Sequence, residues 1–568
     1  MIKRIKVGMA SCGIAAGATE VRDMLEELGS EHEIVEVGCI GHCYAEPLIE
    51  VETEDESLFF GNVEPTRASI QSVLDLEESA RFQPHAARQA LEALHVTALA
   101  GRIDPISMDE YREHRGYEGL EKALAQDPAR VVEEVDQSGL RGRGGGGFPT
   151  GRKWRMLAQK TSPRKVLICN ADEGDPGAFM DRSLMESLPH QVLEGMLIGA
   201  HATGATELYI YCRAEYPLAL RNLRTAVEQI ENAGLNRIGG RTLEISIKEG
   251  AGAFVCGEET ALIHSLEGKR GTPRYRPPYP TDEGYKGYPS AINNVETFAN
   301  IPLILRSGAD QYAQIGVQGS TGTKLFAMAG DLQYAGLVEV PMGLSIREVI
   351  HGIGGAPEGS VKAIQIGGPS GGCIPAEHFD APIDYDSLGE LGAIMGSGGL
   401  IAIGQQRCMV KTARYFLDFT TRESCGKCTF CRVGTKRMLE SLDGIVGGKG
   451  SEEDLDRLED LGGKIINGSL CGLGQTAPGP VLTTLRYFRD EYLAHVRDGC
   501  CPSLECDALV DVTIDLEACI ECGACIRVCP VSAISEDFVV DNDVCTRCNS
   551  CIEICPADAI SRETGGND

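Results

Sequence analysis

The sequence predicts a multidomain protein of mixed α/β class with several iron–sulfur sites, on three observations. Its 568 residues exceed one domain at roughly 150 residues each. Most of its 23 cysteines fall in clusters rather than in scattered pairs. A glycine-rich loop, an apolar run and a group of acids and turn formers follow one another between residues 140 and 177, the order in which α/β folds assemble a ligand site at strand ends.

Composition narrows the function. Hydrophobic content of 42% and charged content of 24% are ordinary for globular chains, and no apolar run is long enough to span a bilayer, so a membrane-spanning protein is not expected. A net charge of −30 repels phosphate backbones and argues against nucleic acid as a partner. The opening Met1-Ile-Lys-Arg-Ile-Lys-Val-Gly reaches Ser11-Cys12 before a secretory apolar segment develops, which points to the cytoplasm. Thiols stay reduced there, so clustered cysteines read as metal sites.

Residues 1–80 open with a strand-like run, continue with a helix near Val21–Leu28 and return to Ile34-Val35-Glu36-Val37 before Gly38-Cys39-Ile40-Gly41-His42-Cys43, a pattern that fits a thioredoxin-like α/β unit. Residues 81–104 read as a linker helix. The run Leu140–Trp154 (LRGRGGGGFPTGRKW) gives backbone freedom and free amides where a phosphate must come close. Its arginines, lysine and lone tryptophan distinguish it from a serine-rich linker. The strand Val166–Asn170 then ends in Asp172, Glu173 and Asp175, and further motifs follow at Gly250–Thr260, Pro273–Pro280 and Ile292–Thr297.

Cys425, Cys428 and Cys431 form a C-x2-C-x2-C run that needs a distant fourth thiolate. Cys471 lies beyond an amphipathic stretch from about Glu452 to Ile466 that reads as a returning helix. Between 499 and 510, Cys501 and Cys506 with His495 suit tetrahedral zinc, the fourth ligand being Cys500 or a residue elsewhere; the alternative is a helix end with buried thiols. From 511 onward, Cys519-x2-Cys522-x2-Cys525-x3-Cys529-Pro530 recurs 26 residues later as Cys545-x2-Cys548-x2-Cys551-x3-Cys555-Pro556. In two-cluster ferredoxins the cysteine before proline ligates the other cluster. Cys519, Cys522, Cys525 and Cys555 therefore pair as one [4Fe-4S] set, and Cys545, Cys548, Cys551 and Cys529 as the second.

The stretches GRGGGGFPTG, NADEGDPG, GAGAFVCGEETAL, INNVET and ESCGKCTFCR closely resemble the NADH-binding FMN flavoprotein subunit of respiratory complex I, over about residues 105–498. With the segments on either side, the whole chain resembles the beta subunit of soluble NAD-linked, electron-bifurcating hydrogenases and formate dehydrogenases. The resemblance implies a Rossmann-like FMN/NADH domain over 105–320, a ubiquitin-like β-grasp (SLBB) domain over 321–405, a helical [4Fe-4S] domain over 406–498 and the ferredoxin domain over 511–568. It assigns flavin contacts to Gly142, Arg143, Gly144, Lys153, Asn170, Asp172, Gly257, Glu258, Asn293 and Asn294. It places Glu173, Asp175 and Glu259 near the nicotinamide or ribose and Phe148 and Tyr279 about the adenine, and counts Phe254 among the cofactor-binding residues. Met156 stands where a third family aromatic falls, and Arg276 where a lysine is common.

The implied activity is hydride transfer between NAD(H) and FMN followed by single-electron transfer through three [4Fe-4S] clusters, with no side chain needed as acid or base and with electron bifurcation in view. The implied partners are a small thioredoxin-like [2Fe-2S] subunit, an iron–sulfur catalytic subunit of hydrogenase, formate dehydrogenase or aromatic acyl-CoA reductase type, and ferredoxin. The rival readings are an electron-transfer subunit of a benzoyl-CoA-type reductase and a non-catalytic iron–sulfur scaffold. The family's [2Fe-2S] site in the first segment takes four cysteines. Here Val7 stands at the first position and only Cys12, Cys39 and Cys43 remain, so no [2Fe-2S] centre is expected there and the segment is read as a docking surface.

Overall fold

The computed structural model describes residues 2–29 and 31–564, and the chain divides into two compact units, Met1–Ala402 and Ile403–Asp568. The first unit contains three larger sheets. Strand Ile2–Gly8 pairs in parallel with Glu33–Val37 and antiparallel with Ile49–Thr53, which Ser57–Phe60 extends. Helices Ala18–Leu28 and Arg67–Leu74 contribute Val21, Leu25 and Ile70 to its core with Ile5, Val7, Val51 and Phe60.

The helix expected over 81–104 is confined to Ala86–Leu91. Arg88 points inward from it, fully buried, and donates to the carbonyls of Gly41 at 3.1 Å and Leu337 at 2.6 Å. Beyond it the amides of His95, Val96 and Thr97 all donate to the Glu339 carboxylate, so a side chain satisfies the backbone that a helix would otherwise have paired.

The central sheet is wholly parallel, with spatial order Ser290–Asn294, Val166–Ala171, Glu207–Arg213, Glu244–Gly250. Helix Pro189–Thr203 is buried along nearly its whole length, and Val295–Ser307, Pro217–Asn232 and Thr150–Ala158 pack on the same core. The run Val166–Ala171 is apolar without alternation because helices cover both faces. The sheet's last strand in sequence, Ser290–Asn294, lies beside its first, Val166–Ala171, so the chain reverses its direction of travel between them. Such a reversal opens a crevice at the carboxyl ends of the two strands.

A third sheet has the order Gly336–Pro341, Thr323–Gly330, Gly399–Gly404, Val361–Ile366, Gly372–Pro375, with Thr323–Gly330 parallel to Gly399–Gly404 and hairpin pairs on either side.

The second unit begins with helices Met409–Arg422, Thr435–Val446, Glu452–Gly468 and Gly479–Tyr487 around Leu417, Met438, Leu442, Leu458 and Val481. It ends in an antiparallel pair, Val510–Ile514 with Ile560–Thr564, which closes over two short helices, Ala524–Val528 and Ser550–Glu553. No helix among the described residues is long and apolar enough to cross a membrane.

Candidate functional site

The crevice is lined from both adjoining strands. Asn170 and Asn294 are register partners at their ends. The glycine loop approaches from one side, and a Cβ on Gly144 would lie 2.9 Å from that of Asn294, so only glycine allows this approach. Gly145 and Gly147 take φ of 116° and 57°. Gly145 forms a bridge to Gly396, so a second glycine-rich loop from the third sheet meets the first. Sequence reasoning missed this second loop, although its glycines at 367–368 and 396 share the same character.

The side chains predicted from the motifs divide by what they bind. Trp154 is fully buried, and its indole donates to Asn293 Oδ1 at 3.0 Å, fixing that amide. Asn170 donates to the Gly257 carbonyl at 2.9 Å and accepts from the Asp172 amide. Lys153 donates to the Ile292 carbonyl at 2.8 Å and lies 3.5 Å from Glu259, whose other oxygen pairs with Arg276 at 3.0 Å. Phe148 and Tyr279 are 40% and 49% exposed, open for stacking. Met156 is half-buried on helix Thr150–Ala158, and Phe254 opens the turn Phe254–Gly257.

Other predicted residues are engaged by the protein itself. Arg143 has no exposed surface; its guanidinium donates to the carbonyls of Thr321 at 2.6 Å and Arg141 at 3.2 Å, and its backbone amide donates to Thr297 Oγ1 at 2.9 Å, so it serves to hold the glycine loop in place. The Glu173 carboxylate accepts from the amides of Asp181 and Arg182, both at 3.0 Å, and burial raises its pKa. Glu258 caps helix Glu259–Leu266 through the amides of Thr260 and Ala261. Asp175 accepts from the Ser397 hydroxyl at 2.6 Å and is also shifted up by burial.

Behind the strand ends, Asn294 donates to Asp181 at 2.5 Å, and Glu296 is ion-paired with Lys324, all three charged groups being buried. Lys324 offsets two buried acids, and burial pushes the Asp181 carboxyl well up. Glu296 sits inside INNVET, but nothing in the sequence marked Asp181 or Lys324.

In the second unit, helix Glu452–Gly468 returns the chain to the turn Phe430–Gly434: a Cβ on Gly474 would lie 3.0 Å from that of Cys431, placing the segment after Cys471 against Cys431. Cys431 and Cys471 are buried, while Cys425 and Cys428 are half-buried. Within the ferredoxin-like region, Cys529, Cys545, Cys548 and Cys551 line a cavity together, and Cys519, Cys522, Cys525 and Cys555 line another. The two halves repeat each other's N–H···S bonds: Glu521 to Cys519 and Arg547 to Cys545, both 3.4 Å, and Ala533 to Cys529 and Ala559 to Cys555, at 3.2 and 3.3 Å.

His495, Cys501 and Cys506 are joined by Cys408, and the four buried donor atoms lie within 4.8 Å of one another. His495 Nε2 is 3.4 Å from Cys408 Sγ and 3.3 Å from Cys506 Sγ, and the two sulfurs are 3.7 Å apart. A tetrahedral zinc with sulfur ligands at about 2.3 Å needs edges of about 3.7 Å. His495 Nδ1 is 2.7 Å from the Glu491 carbonyl, which orients the ring. Cys500 lies outside the group. Cys408 went unnoticed because it is remote in sequence and sits alone before helix Met409–Arg422. A further group, Cys12, Cys39 and Cys43, lies in the first segment.

The Nuo51 FMN-binding domain family matches residues 135–303, the NADH-ubiquinone oxidoreductase-F iron-sulfur binding region 411–495, and the 4Fe-4S binding domain 512–535 and 538–561. The chain is 54% identical over 445 residues to the NADP-reducing hydrogenase subunit HndC of Solidesulfovibrio fructosivorans, covering 77% of this chain and 91% of that one. It is 42% identical over 402 residues to an NADH-quinone oxidoreductase subunit of Rhizobium meliloti, covering 70% and 96%. A crystal structure of NAD+-reducing [NiFe]-hydrogenase in the H2-reduced state superposes with a TM-score of 0.64 at 31% identity, covering 87% of this chain and 84% of that chain.

Proposed function

Because the chain belongs to the family of FMN-binding subunits shared by NADH-quinone oxidoreductases and NAD(P)-linked hydrogenases, we propose that it takes hydride from NADH at the crevice between Asn170 and Asn294 and delivers electrons singly to its iron–sulfur centres. It is an oxidoreductase flavoprotein subunit. FMN bound there supplies the exchange of an electron pair with nicotinamide and the release of single electrons. The chain's own residues bind and orient. Amides of Gly144–Gly147 meet the phosphate; Lys153, Asn170, Asp172, Gly257, Glu258, Asn293 and Asn294 surround the flavin; Phe148 and Tyr279 flank the adenine; Glu259, held between Lys153 and Arg276, and Asp175 face the nucleotide ribose. Arg143 and Glu173 serve the fold: the Arg143 amide donates to Thr297 Oγ1, and the Glu173 carbonyl accepts from Arg213 and Tyr216.

The observation that carries this reading is the contact of Gly144 with Asn294 at the reversal point of the parallel sheet. Purified protein should release about one FMN per chain and be bleached anaerobically by NADH faster than by NADPH. Gly144→Val should lose the flavin while keeping its iron. Wild-type protein that holds no flavin after reconstitution, or equal bleaching by both nucleotides, would overturn the respective claim.

The finer organisation follows the same reading. Residues 1–80 form a thioredoxin-like segment, 81–104 a linker, 105–320 the FMN/NADH domain, 321–405 a ubiquitin-like domain, 406–498 the helical [4Fe-4S] domain, 499–510 a zinc-binding linker and 511–568 the two-cluster ferredoxin. Three [4Fe-4S] clusters use Cys425/Cys428/Cys431/Cys471 and the two crossed sets of the ferredoxin. Zinc is held by Cys408, His495, Cys501 and Cys506; iron-replete protein should carry about one zinc, absent from Cys408→Ser, and its absence from the wild type would reject the site. A cytoplasmic complex supplies the terminal reaction, since no hydrogenase, molybdenum or acyl-CoA centre is recognisable in this sequence.

A further inference from the structure

The glycine loop is held by a residue of the third sheet's region that no motif marks. In a loop that grips a phosphate through backbone amides, the carbonyls must turn away from the anion and find partners elsewhere. Around residues 141–148 those partners can be named. The Gly142 amide donates to the Phe148 carbonyl at 2.9 Å, closing the neck of the loop. The Gly147 carbonyl accepts from Arg141 Nε at 2.7 Å, and the Arg141 carbonyl accepts from Arg143 at 3.2 Å. The Gly142 carbonyl is taken by a residue 243 positions away: the Tyr385 hydroxyl donates to it at 3.0 Å.

Tyr385 has a fixed seat from which to do this. It opens helix Tyr385–Glu390, whose cap Asp384 accepts from the amides of Asp386 at 2.9 Å and Ser387 at 2.8 Å. Its ring packs against the apolar core that holds Ile383 and Leu388. From that seat it meets the loop repeatedly. The Arg141 guanidinium stacks over its ring, 4.1 Å from the centroid. Arg143 donates to its hydroxyl at 3.4 Å, so that one oxygen accepts from the loop and donates back to it. A Cβ on Gly147 would lie 2.7 Å from ring carbon Cε1, so the ring fills room that only glycine leaves. The bridge between Gly145 and Gly396 braces the loop from the same sheet.

We propose that Tyr385 is a positioning residue for the flavin phosphate: by holding the Gly142 carbonyl toward itself, it presents the amides of Gly144–Gly147 to the anion. It acts through the peptide that joins Gly142 to Arg143. The inference rests on the flavin site proposed above and adds that the grip on the phosphate is set from outside the parallel sheet.

The test compares FMN with riboflavin, which has the same ring system and no phosphate, on the full chain freed of flavin. Dissociation constants are read from the quenching of flavin fluorescence. The wild type should hold FMN more tightly than riboflavin. Tyr385→Phe keeps the ring and loses the hydroxyl; it should weaken FMN by up to about tenfold and leave riboflavin unchanged, so the ratio of the two constants falls by the same factor. Tyr385→Leu, which also releases Arg141, should lower that ratio about thirtyfold. A general loosening of the fold weakens both flavins alike and does not move the ratio. A ratio unchanged in Tyr385→Phe overturns the role of Tyr385, whatever Tyr385→Leu shows, and leaves the flavin site standing. A wild type that binds the two flavins equally, or neither, overturns the flavin site and this inference with it.

Discussion

Lys324 shows how much of the site depends on single buried charges. It has no exposed surface and pairs with Glu296 close to Asp181, so Lys324→Met would leave buried acids without their cation. Removing one member of a buried pair costs about 3–5 kcal/mol, and the denaturation midpoint of Lys324→Met should fall accordingly. His190 makes a pH prediction. Burial depresses its pKa from the ordinary 6.5 to about 4 while its ring sits 2.8 Å from the Tyr117 hydroxyl. The unfolded chain therefore binds this proton first as pH falls. Its contribution is complete above about pH 6.5, shrinks on acidification and levels off below about pH 4. Denaturant midpoints measured across this window should fall more gently in His190→Gln than in wild type, by up to about 1.4 kcal/mol per pH unit. At this scale the sequence was legible where a motif names a backbone approach, as at Gly144. It was not legible where one residue type has two uses: Glu258 and Glu173 carry the acids a ligand would want, yet their carboxylates cap helix ends. Cys408 stands alone in sequence, and only folding brings it to His495, Cys501 and Cys506.

Local ligand spacing was the easiest element to read, because C-x2-C-x2-C confines three thiolates to one turn whatever surrounds it. The returning helix was readable for a similar reason: its apolar period persists from Leu455 to Ile465, and Ser451 with Asp454 closes a capping box at its start. Residues 81–104 were misread as one helix because their backbone is satisfied by Glu339 and their anchor is the single side chain of Arg88, neither of which leaves a periodic trace. The returning helix exists to deliver Cys471, which gives a test at this scale. In Gly474→Val the added side chain meets Ser469 at 2.5 Å and Cys431 at 3.0 Å. The variant should lose about four irons and one [4Fe-4S] EPR signal while retaining bound FMN; full iron content would show that the Cys471 turn tolerates displacement.

For the whole molecule, the last strand pair is self-contained, Val510–Ile514 with Ile560–Thr564, so removing residues 511–568 takes away both partners and leaves no unpaired edge. That truncation should oxidise NADH with a dye that takes electrons at the flavin at the full rate, yet abolish reduction of the physiological acceptor in the assembled complex. Full acceptor reduction would place this region off the route. Within it, the two cysteine sets match in exposure position by position: Cys519 and Cys545 half-buried, Cys522 and Cys548 exposed, Cys525 and Cys551 buried, Cys529 and Cys555 half-buried. They match as well in the amides that donate to sulfur. Exposure and N–H···S bonding are among the levers that set a cluster's potential. Two rungs built alike stand nearly level, and a level ladder has no preferred way up or down. On the function proposed above, the sense of the current then belongs to whatever stands at its two ends.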